Sequence, residues 1–494
     1  MKNNKTAINP TREQDYPKWY QEVIKAADLA ENSVVRGCMV IKPWGCGVWE
    51  NIQRELDKKI KDTGHQNFYF PMFVPLSYLA KEAEHIDGFA KECAVVTHHR
   101  LEQNENHELV PGGKLEEPLI IRPTSEAVIG EAYSRWINSY RDLPLLGNQW
   151  ANVVRWEMRP RIFLRTSEFL WQEGHTAHAT SDEAIIEAEK MLEVYRELVE
   201  DFLAMPVILG TKTENEKFPG ADVTYCLEAM MQDTKALQAG TSHFLGQHFS
   251  KAFNIKFLSK LGVEEFVWTT SWGVSTRLIG GLIMTHSDDN GLILPPKIAP
   301  IQVIIIPLIH KQENREAILE YCNKLKEQLG SDIRVDIDLQ EKTSGEKIWG
   351  WIKKGVPIRL EIGQKEVENN AVFMGRRDLD PKEKTSLDVK EFIAKLANFL
   401  EDIQKNIFEK AKKFLNENSY IANSKEEFFE LFKNEEKSGF VSAYWIGDNK
   451  TEEELKQELK VTARCIALST KTKTGKCIFT GKENAPLTTF ARAY

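Results

Sequence analysis

The spacing of hydrophobic positions changes along the chain and divides it into three regions. In the first, up to Pro295 and Pro296, residues 45–62 place Val48, Ile52, Leu56 and Ile60 on one face, which predicts a helix. The aromatic run FYFPMFVP (68–75) is broken by prolines and suits an edge strand or an interface segment better than a central strand. Thr180 and Glu183 form a capping box ahead of a helical stripe of Ile185, Leu192, Tyr195, Val199 and Phe202. Strands are predicted at 150–157, 168–174, 207–213 and 278–285.

The second region alternates. QVIIIPL (302–308), RVDIDL (334–339) and IRLEIG (358–363) read as strands, with charged helices at 312–329 and 344–354 between them. That order predicts a small α/β domain with a largely parallel or mixed sheet. The third region is rich in Lys, Glu and Phe and reads as helices first. A capping box at Thr451 and Glu454 follows, then a short β-like end closing on Tyr494. The diproline is a natural boundary, so the expected division is 1–295, 296–400 and 401–494.

Composition narrows the class. With 494 residues, 42% hydrophobic and 28% charged, the chain has the make-up of a soluble protein of about two to four domains. The net charge of −8 means that any surface for a nucleic acid must be local. No apolar stretch is long enough to span a membrane, and the first residues lack the apolar core of a secretory signal. The seven cysteines are scattered, odd in number and without a CxxC pair, so a reducing cytoplasm is the expected compartment.

The chemistry concentrates in VVRWEMRPRIFLRTSEFLWQEGHTAH (153–178), which reads as strand, basic loop, strand. Arg155 and Glu157 are two apart, so both point to one side of a strand, and Phe169 and Trp171 share a face of the returning strand. The loop carries Arg159, Arg161 and Arg165. Arginine binds phosphate oxygens in a bidentate fork and always carries its charge. A glutamate can accept from an adenine amino group, and an aromatic ring can stack on the base. The plain alternative is a salt-bridged surface hairpin.

This pattern resembles motif 2 of the class II aminoacyl-tRNA synthetases. FYFPMFVP resembles motif 1, whose proline sits at a dimer interface, and SWGVSTRLIGGLIMTH (271–286) resembles motif 3. IRPTSEAVIG (121–130) resembles the amino-acid-reading loop of the prolyl and threonyl branch, and QAGTSHFLGQHFSKAF (238–253) a later strand of the prolyl enzymes. The motifs stand in family order, and the resemblance to prolyl-tRNA synthetases of the archaeal and eukaryotic type reaches the last residue.

The resemblance implies an α+β catalytic domain with a mostly antiparallel sheet, an α/β anticodon-binding domain and a small α+β C-terminal domain. It implies that Arg155 bridges the amino-acid carboxylate and the α-phosphate and that Arg277 holds the γ-phosphate. Glu157 then contacts adenine, Phe169 stacks on it, and Arg165 and Thr166 hold phosphates. Gln238, Thr241 and Ser275 complete the nucleotide site. Thr124, Glu126 and His243 position proline, with Trp171 and His175 as pocket walls; a structural role for either histidine is the alternative. The implied partners are ATP with Mg2+, L-proline, tRNA(Pro) and a second subunit, and no membrane. Arg376 and Arg377 are candidate anticodon contacts, or else a solvated basic turn. Tyr494 either folds back toward the catalytic region or frays.

Two departures qualify the match. The family's C-terminal domain carries zinc on two cysteine pairs, but here those positions read Ile446, Thr451, Cys477 and Thr480. One ligand of four cannot hold a structural zinc, so no zinc is expected. The short interval between motifs 2 and 3 leaves no room for an inserted editing domain, so hydrolysis of mischarged alanine in cis is not expected. The rival readings are a threonyl, glycyl or histidyl enzyme and a non-catalytic tRNA-binding paralogue. The threonyl type needs a zinc-binding Cys and two His that the equivalent stretches lack, and a paralogue would be expected to lose motif residues that are present here.

Overall fold

The computed structural model describes residues 7–78, 92–433 and 438–494; the first six residues, read above for a leader, lie outside them. Among the described residues no helix is long and apolar enough to cross a membrane.

The helix Pro43–Asp62 buries Val48, Ile52, Leu56 and Ile60 completely, as their spacing predicts. The helix Ser181–Glu197 opens on Thr180, whose hydroxyl accepts from the Glu183 amide, while the Glu183 carboxylate accepts from Ala179 N. Its buried stripe of Ala184, Ala188, Met191, Leu192 and Tyr195 lies on the back of the central sheet. Two side-chain contacts fix it there: Tyr195 OH donates to Gln172 Oε1 at 2.6 Å, and Ser242 Oγ donates to the Ala188 carbonyl at 2.7 Å.

That sheet is antiparallel through its catalytic part, in the order Val207–Thr211, Val223–Met230, Ala236–Gly246, Trp268–Ser275, Glu168–His178, Leu145–Val154. Register decides the front face. Ser275 sits opposite Trp171, Gly273 opposite Glu173, and Ser271 opposite both His175 and His243. Directly paired residues point the same way, so a column of small residues, Ser271, Gly273 and Ser275, leaves room at the centre of the face.

Three sequence expectations need correction. Residues 278–285 form the helix Arg277–His286, not a strand. Every residue from Leu278 to Met284 is buried, so the run shows neither alternation nor a stripe, and periodicity cannot separate helix from strand in such a run. The expected strand 150–157 ends at Val154, so Arg155 and Glu157 stand in irregular backbone at its mouth. The capping box at Thr451 is not formed: the helix Asn449–Leu459 is capped by Asp448, whose side chain accepts from the Thr451 amide at 2.9 Å. Of the aromatic run, Phe73–Pro75 is an edge strand of a separate three-stranded sheet.

The second region holds a mixed five-stranded sheet. Val335–Ile337, Val303–Pro307 and Ile358–Ile362 are parallel; Ala371–Arg376 and Lys384–Asp388 add antiparallel strands. The helix Val389–Glu417 runs straight through the expected boundary at 400. Phe392, Leu396 and Leu400 pack on this sheet, whereas Leu415 packs with Met230 and Phe440.

The third region does not stand apart. Its strand Thr462–Ala467 pairs antiparallel with Val207–Thr211, so the catalytic sheet continues into the C-terminal strands as one 12-stranded sheet. Gly210 permits the close approach: a Cβ there would lie 2.6 Å from Cys465 Sγ.

Candidate active site

A cavity of about 330 Å³ opens on the front of the sheet, and a second of about 250 Å³ adjoins it. They share Arg155, Phe169, Ser275 and Arg277. The first is also lined by Thr124, Glu126, Trp171, His175, Gln238, Thr241 and His243, and the second by Glu157, Arg165 and Thr166. The structure thus brings all the catalytic-region candidates into two joined spaces.

Where the cavities meet, the site is cationic. Arg155 anchors its Nε on the Pro123 carbonyl at 2.8 Å, and its guanidinium lies 5.7 Å and 5.4 Å from the ring centres of Phe169 and Trp171. Burial lowers the Arg155 pKa, while Glu126 and Glu173 pull the other way. Arg277 starts its helix and donates Nε to the Leu164 carbonyl at 3.3 Å. Burial, then the charges of Arg165 and Arg155, lowers its pKa to about 10. Two buried guanidiniums, with the half-exposed Arg165 beside Arg277, form a site suited to a polyanion. Glu157, at the outer end, accepts from the Arg159 amide at 2.9 Å.

The inner cavity is smaller in charge and richer in rings. Glu173 is buried; its Oε1 accepts from Ser125 Oγ at 2.5 Å and Gln149 Nε2 at 2.6 Å, and its Oε2 lies 2.9 Å from His175 Nε2. Burial alone would raise the Glu173 carboxyl, but the contacts with His175, Ser125 and Gln149 hold it below the ordinary range. Burial works to lower His175, and Glu173 overcomes it, so the imidazole is raised. His243 differs: burial and then the charge of His175 push it down to about 3, so it is neutral. Its Nδ1 lies 3.0 Å from Thr224 Oγ1, and its ring packs 4.6 Å from Phe218. Thr124 donates to Glu126. Trp171 Nε1 and Ser271 Oγ are buried donors without a hydrogen-bond partner among the described residues.

Sequence reasoning missed Glu173, Ser271 and Phe218. Glu173 was within reach, because Trp171, Glu173 and His175 alternate along one strand and share a face. Ser271 is visible only through register. Phe218 lies in a loop without periodicity.

Arg377 is buried between the first two regions. It is 1% exposed, and its guanidinium contacts Asp288 at 2.6 and 2.9 Å and the carbonyls of Ile352 and Gly291. It joins the second region to the first, so it is not part of a solvated basic turn. Arg376 is held by Asp378 and Asp402. Tyr494 folds back: its hydroxyl donates to Asp233 at 2.5 Å, and its ring packs under Arg161 and Lys235. At the former zinc positions, Ile446 and Cys477 belong to the apolar C-terminal cluster, with Cys477 hydrogen-bonded near Thr480.

Residues 112–286 match the family described as tRNA synthetase class II core domain (G, H, P, S and T). Residues 302–399 match the anticodon binding domain, and residues 426–494 match prolyl-tRNA synthetase, C-terminal. A proline--tRNA ligase of Protochlamydia amoebophila is 58% identical, and one of Bdellovibrio bacteriovorus 56%, each aligned over 99% of both chains. A crystal structure of prolyl-tRNA synthetase from Cryptosporidium parvum, complexed with halofuginone and AMPPNP, superimposes with a TM-score of 0.91 at 39% identity, covering 99% of this chain and 97% of that one. Joined catalytic cavities, three matched domains and relatives similar end to end lead to one conclusion: the chain belongs to the prolyl-tRNA synthetase family of class II aminoacyl-tRNA synthetases.

Proposed function

We propose that the inner cavity holds L-proline and the outer one ATP, and that the enzyme joins them to prolyl-adenylate and pyrophosphate before transferring proline to the 3′ end of tRNA(Pro). The observation that carries this reading is the cluster of Arg155, Arg165 and Arg277 set against a ring-lined pocket with Glu126 and a neutral His243. Proline offers an apolar ring, an ammonium with two donors and a carboxylate. Trp171 and Phe218 suit the ring, Glu126 the ammonium, and Arg155 the carboxylate.

A proline carboxylate oxygen attacks the α-phosphorus in line, the bond to the bridging oxygen breaks, and pyrophosphate leaves. No side chain acts as a covalent nucleophile. Arg155 and Arg277 neutralise the charge that gathers on the phosphates, and the joined cavities hold the two substrates side by side. The terminal ribose hydroxyl of tRNA then attacks the prolyl carbonyl and AMP leaves. Mg2+ dehydrates reluctantly and would be carried mainly by phosphate oxygens and water. When bound, it shares the phosphate charge.

The domain roles follow the same reading: 1–295 for catalysis, 296–400 for the anticodon and 401–494 as the C-terminal domain. A homodimer is supported by exposed Phe73, Val95, Leu101 and Leu109 on the three-stranded sheet, and light scattering in solution tests it. The free thiols of all seven cysteines support a reducing, cytoplasmic setting. The central test is ATP–pyrophosphate exchange with a panel of amino acids. Exchange should require proline and fall on the order of 100- to 1000-fold in Arg155→Ala, the scale for losing one preorganised donor. Full activity in that variant would break the assignment.

A further inference from the structure

One wall of the inner cavity is a loop of the catalytic region that the C-terminal region braces from behind. Residues 212–222 connect the strands Val207–Thr211 and Val223–Met230, and within them Phe218 closes on the pocket. The Phe218 amide donates to Thr224 Oγ1 at 2.9 Å, the same hydroxyl that meets His243 Nδ1, and its ring packs on the His243 imidazole. The position of this loop therefore sets the position of two pocket groups together.

The other side of the loop is held by the C-terminal domain. Asn215 Nδ2 donates to Glu452 Oε2 at 2.6 Å and to Asn449 Oδ1 at 2.8 Å, both in the first turn of the helix Asn449–Leu459. Glu452 is 8% exposed, so it is a nearly desolvated acceptor. At the start of the loop, Lys212 Nζ donates to Glu228 Oε1 at 2.7 Å and to the Arg464 carbonyl at 2.9 Å. The Arg464 guanidinium closes on the same Glu228 carboxylate at 3.1 Å. All three charged groups are buried, where such contacts are rigid and costly to break.

We propose that the C-terminal domain acts as a clamp on the amino-acid pocket, with Glu452 and Asn215 as positioning residues that set Phe218 against His243. The proposal rests on the reading that the inner cavity takes proline. It gives a C-terminal domain that has lost most of its metal ligands a direct part in amino-acid recognition. Neither residue touches substrate, so their effect falls on how well proline is held and not on the nucleotide.

The test is steady-state exchange on the full-length chain, comparing wild type with Asn215→Ala, Glu452→Ala, Glu452→Gln and the double alanine variant. A hydrogen bond to a buried charged group predicts that KM for proline rises about tenfold in each alanine variant. KM for ATP and kcat at saturating proline should stay within about twofold. Glu452→Gln keeps an acceptor oxygen and should restore KM for proline. The double variant should be no worse than Asn215→Ala, because that single variant already breaks the contact Glu452 makes. Wild type without proline-dependent exchange would sink the functional reading itself. Wild type with normal exchange, and alanine variants with unchanged proline KM or an equal rise in ATP KM, would overturn the clamp alone. Should Glu452→Ala fail to fold, Asn215→Ala breaks the same contact from an exposed position and decides the question.

Discussion

Glu173 and His175, two residues apart on one strand, meet at 2.9 Å between Oε2 and Nε2 in a buried corner of the inner cavity. The carboxyl is held low and the imidazole high, each by the other against the cost of burial. A depressed carboxyl stabilises the fold above its ordinary value of 4.5 and loses that contribution as pH falls through its lower folded value. A raised imidazole contributes fully below its ordinary value of 6.5 and loses that contribution as pH rises through its higher folded value. The difference in Tm between wild type and His175→Gln should thus be largest between these limits and shrink toward alkaline pH. A constant difference from pH 5 to pH 9 would show that the pair is not ionised as described.

Arg277→Lys keeps a charge but loses the planar fork. Burial already opposes the charge at this position, and a lysine ammonium shifts its pKa more readily when buried. Exchange should fall on the order of 100-fold, with KM for proline little changed. Kinetics with ATP varied at saturating proline would show it.

Gly174 faces the back of the sheet, where a Cβ would lie 2.1 Å from the Trp272 ring. Trp272 is itself fixed by His65 and Tyr195. Gly174→Ala should destabilise by about 1–3 kcal/mol, the cost of overpacking, which a urea midpoint would report.

Arg377→Ala leaves Asp288 without its partner at the junction of the first two regions. Breaking a pair with one fully buried member costs about 3 kcal/mol. The expected outcome is a lower urea midpoint with anticodon discrimination retained, measured as aminoacylation of tRNA(Pro) and anticodon-changed transcripts. Lost discrimination at full stability would return Arg377 to an RNA role.

Metal analysis of the purified chain should find no stoichiometric zinc, and a chelator should leave Tm unchanged. Ile446 and Thr451 offer no ligand beside Cys477, and apolar packing around Phe428, Trp445 and Phe490 fills the C-terminal core. Stoichiometric zinc lost together with Tm in the Cys477→Ser variant would contradict this.

Much of the site was legible because its residues are local in sequence. Arg155, Arg165, Phe169 and Trp171 fall in one strand–loop–strand stretch, and Thr124 with Glu126, or Ser275 with Arg277, are two apart. The regular helices were equally plain, since a face such as Val48, Ile52, Leu56 and Ile60 needs only a period. The run 278–285 was misread because burial on every side erases the period.

What the sequence determined by itself is the choice of candidates: the side chains suited to phosphate, those suited to an apolar wall, and the order of the three regions. Long-range pairing was left to the tertiary structure. Strand register set Ser271 between His175 and His243. Folding buried Arg377 and tied it to Asp288. The pairing of Thr462–Ala467 with Val207–Thr211 made the C-terminal domain part of the catalytic sheet. The physical reason is common to all three: a contact between residues far apart in the chain leaves no trace in the spacing of either, because it depends on where the folded chain brings them together.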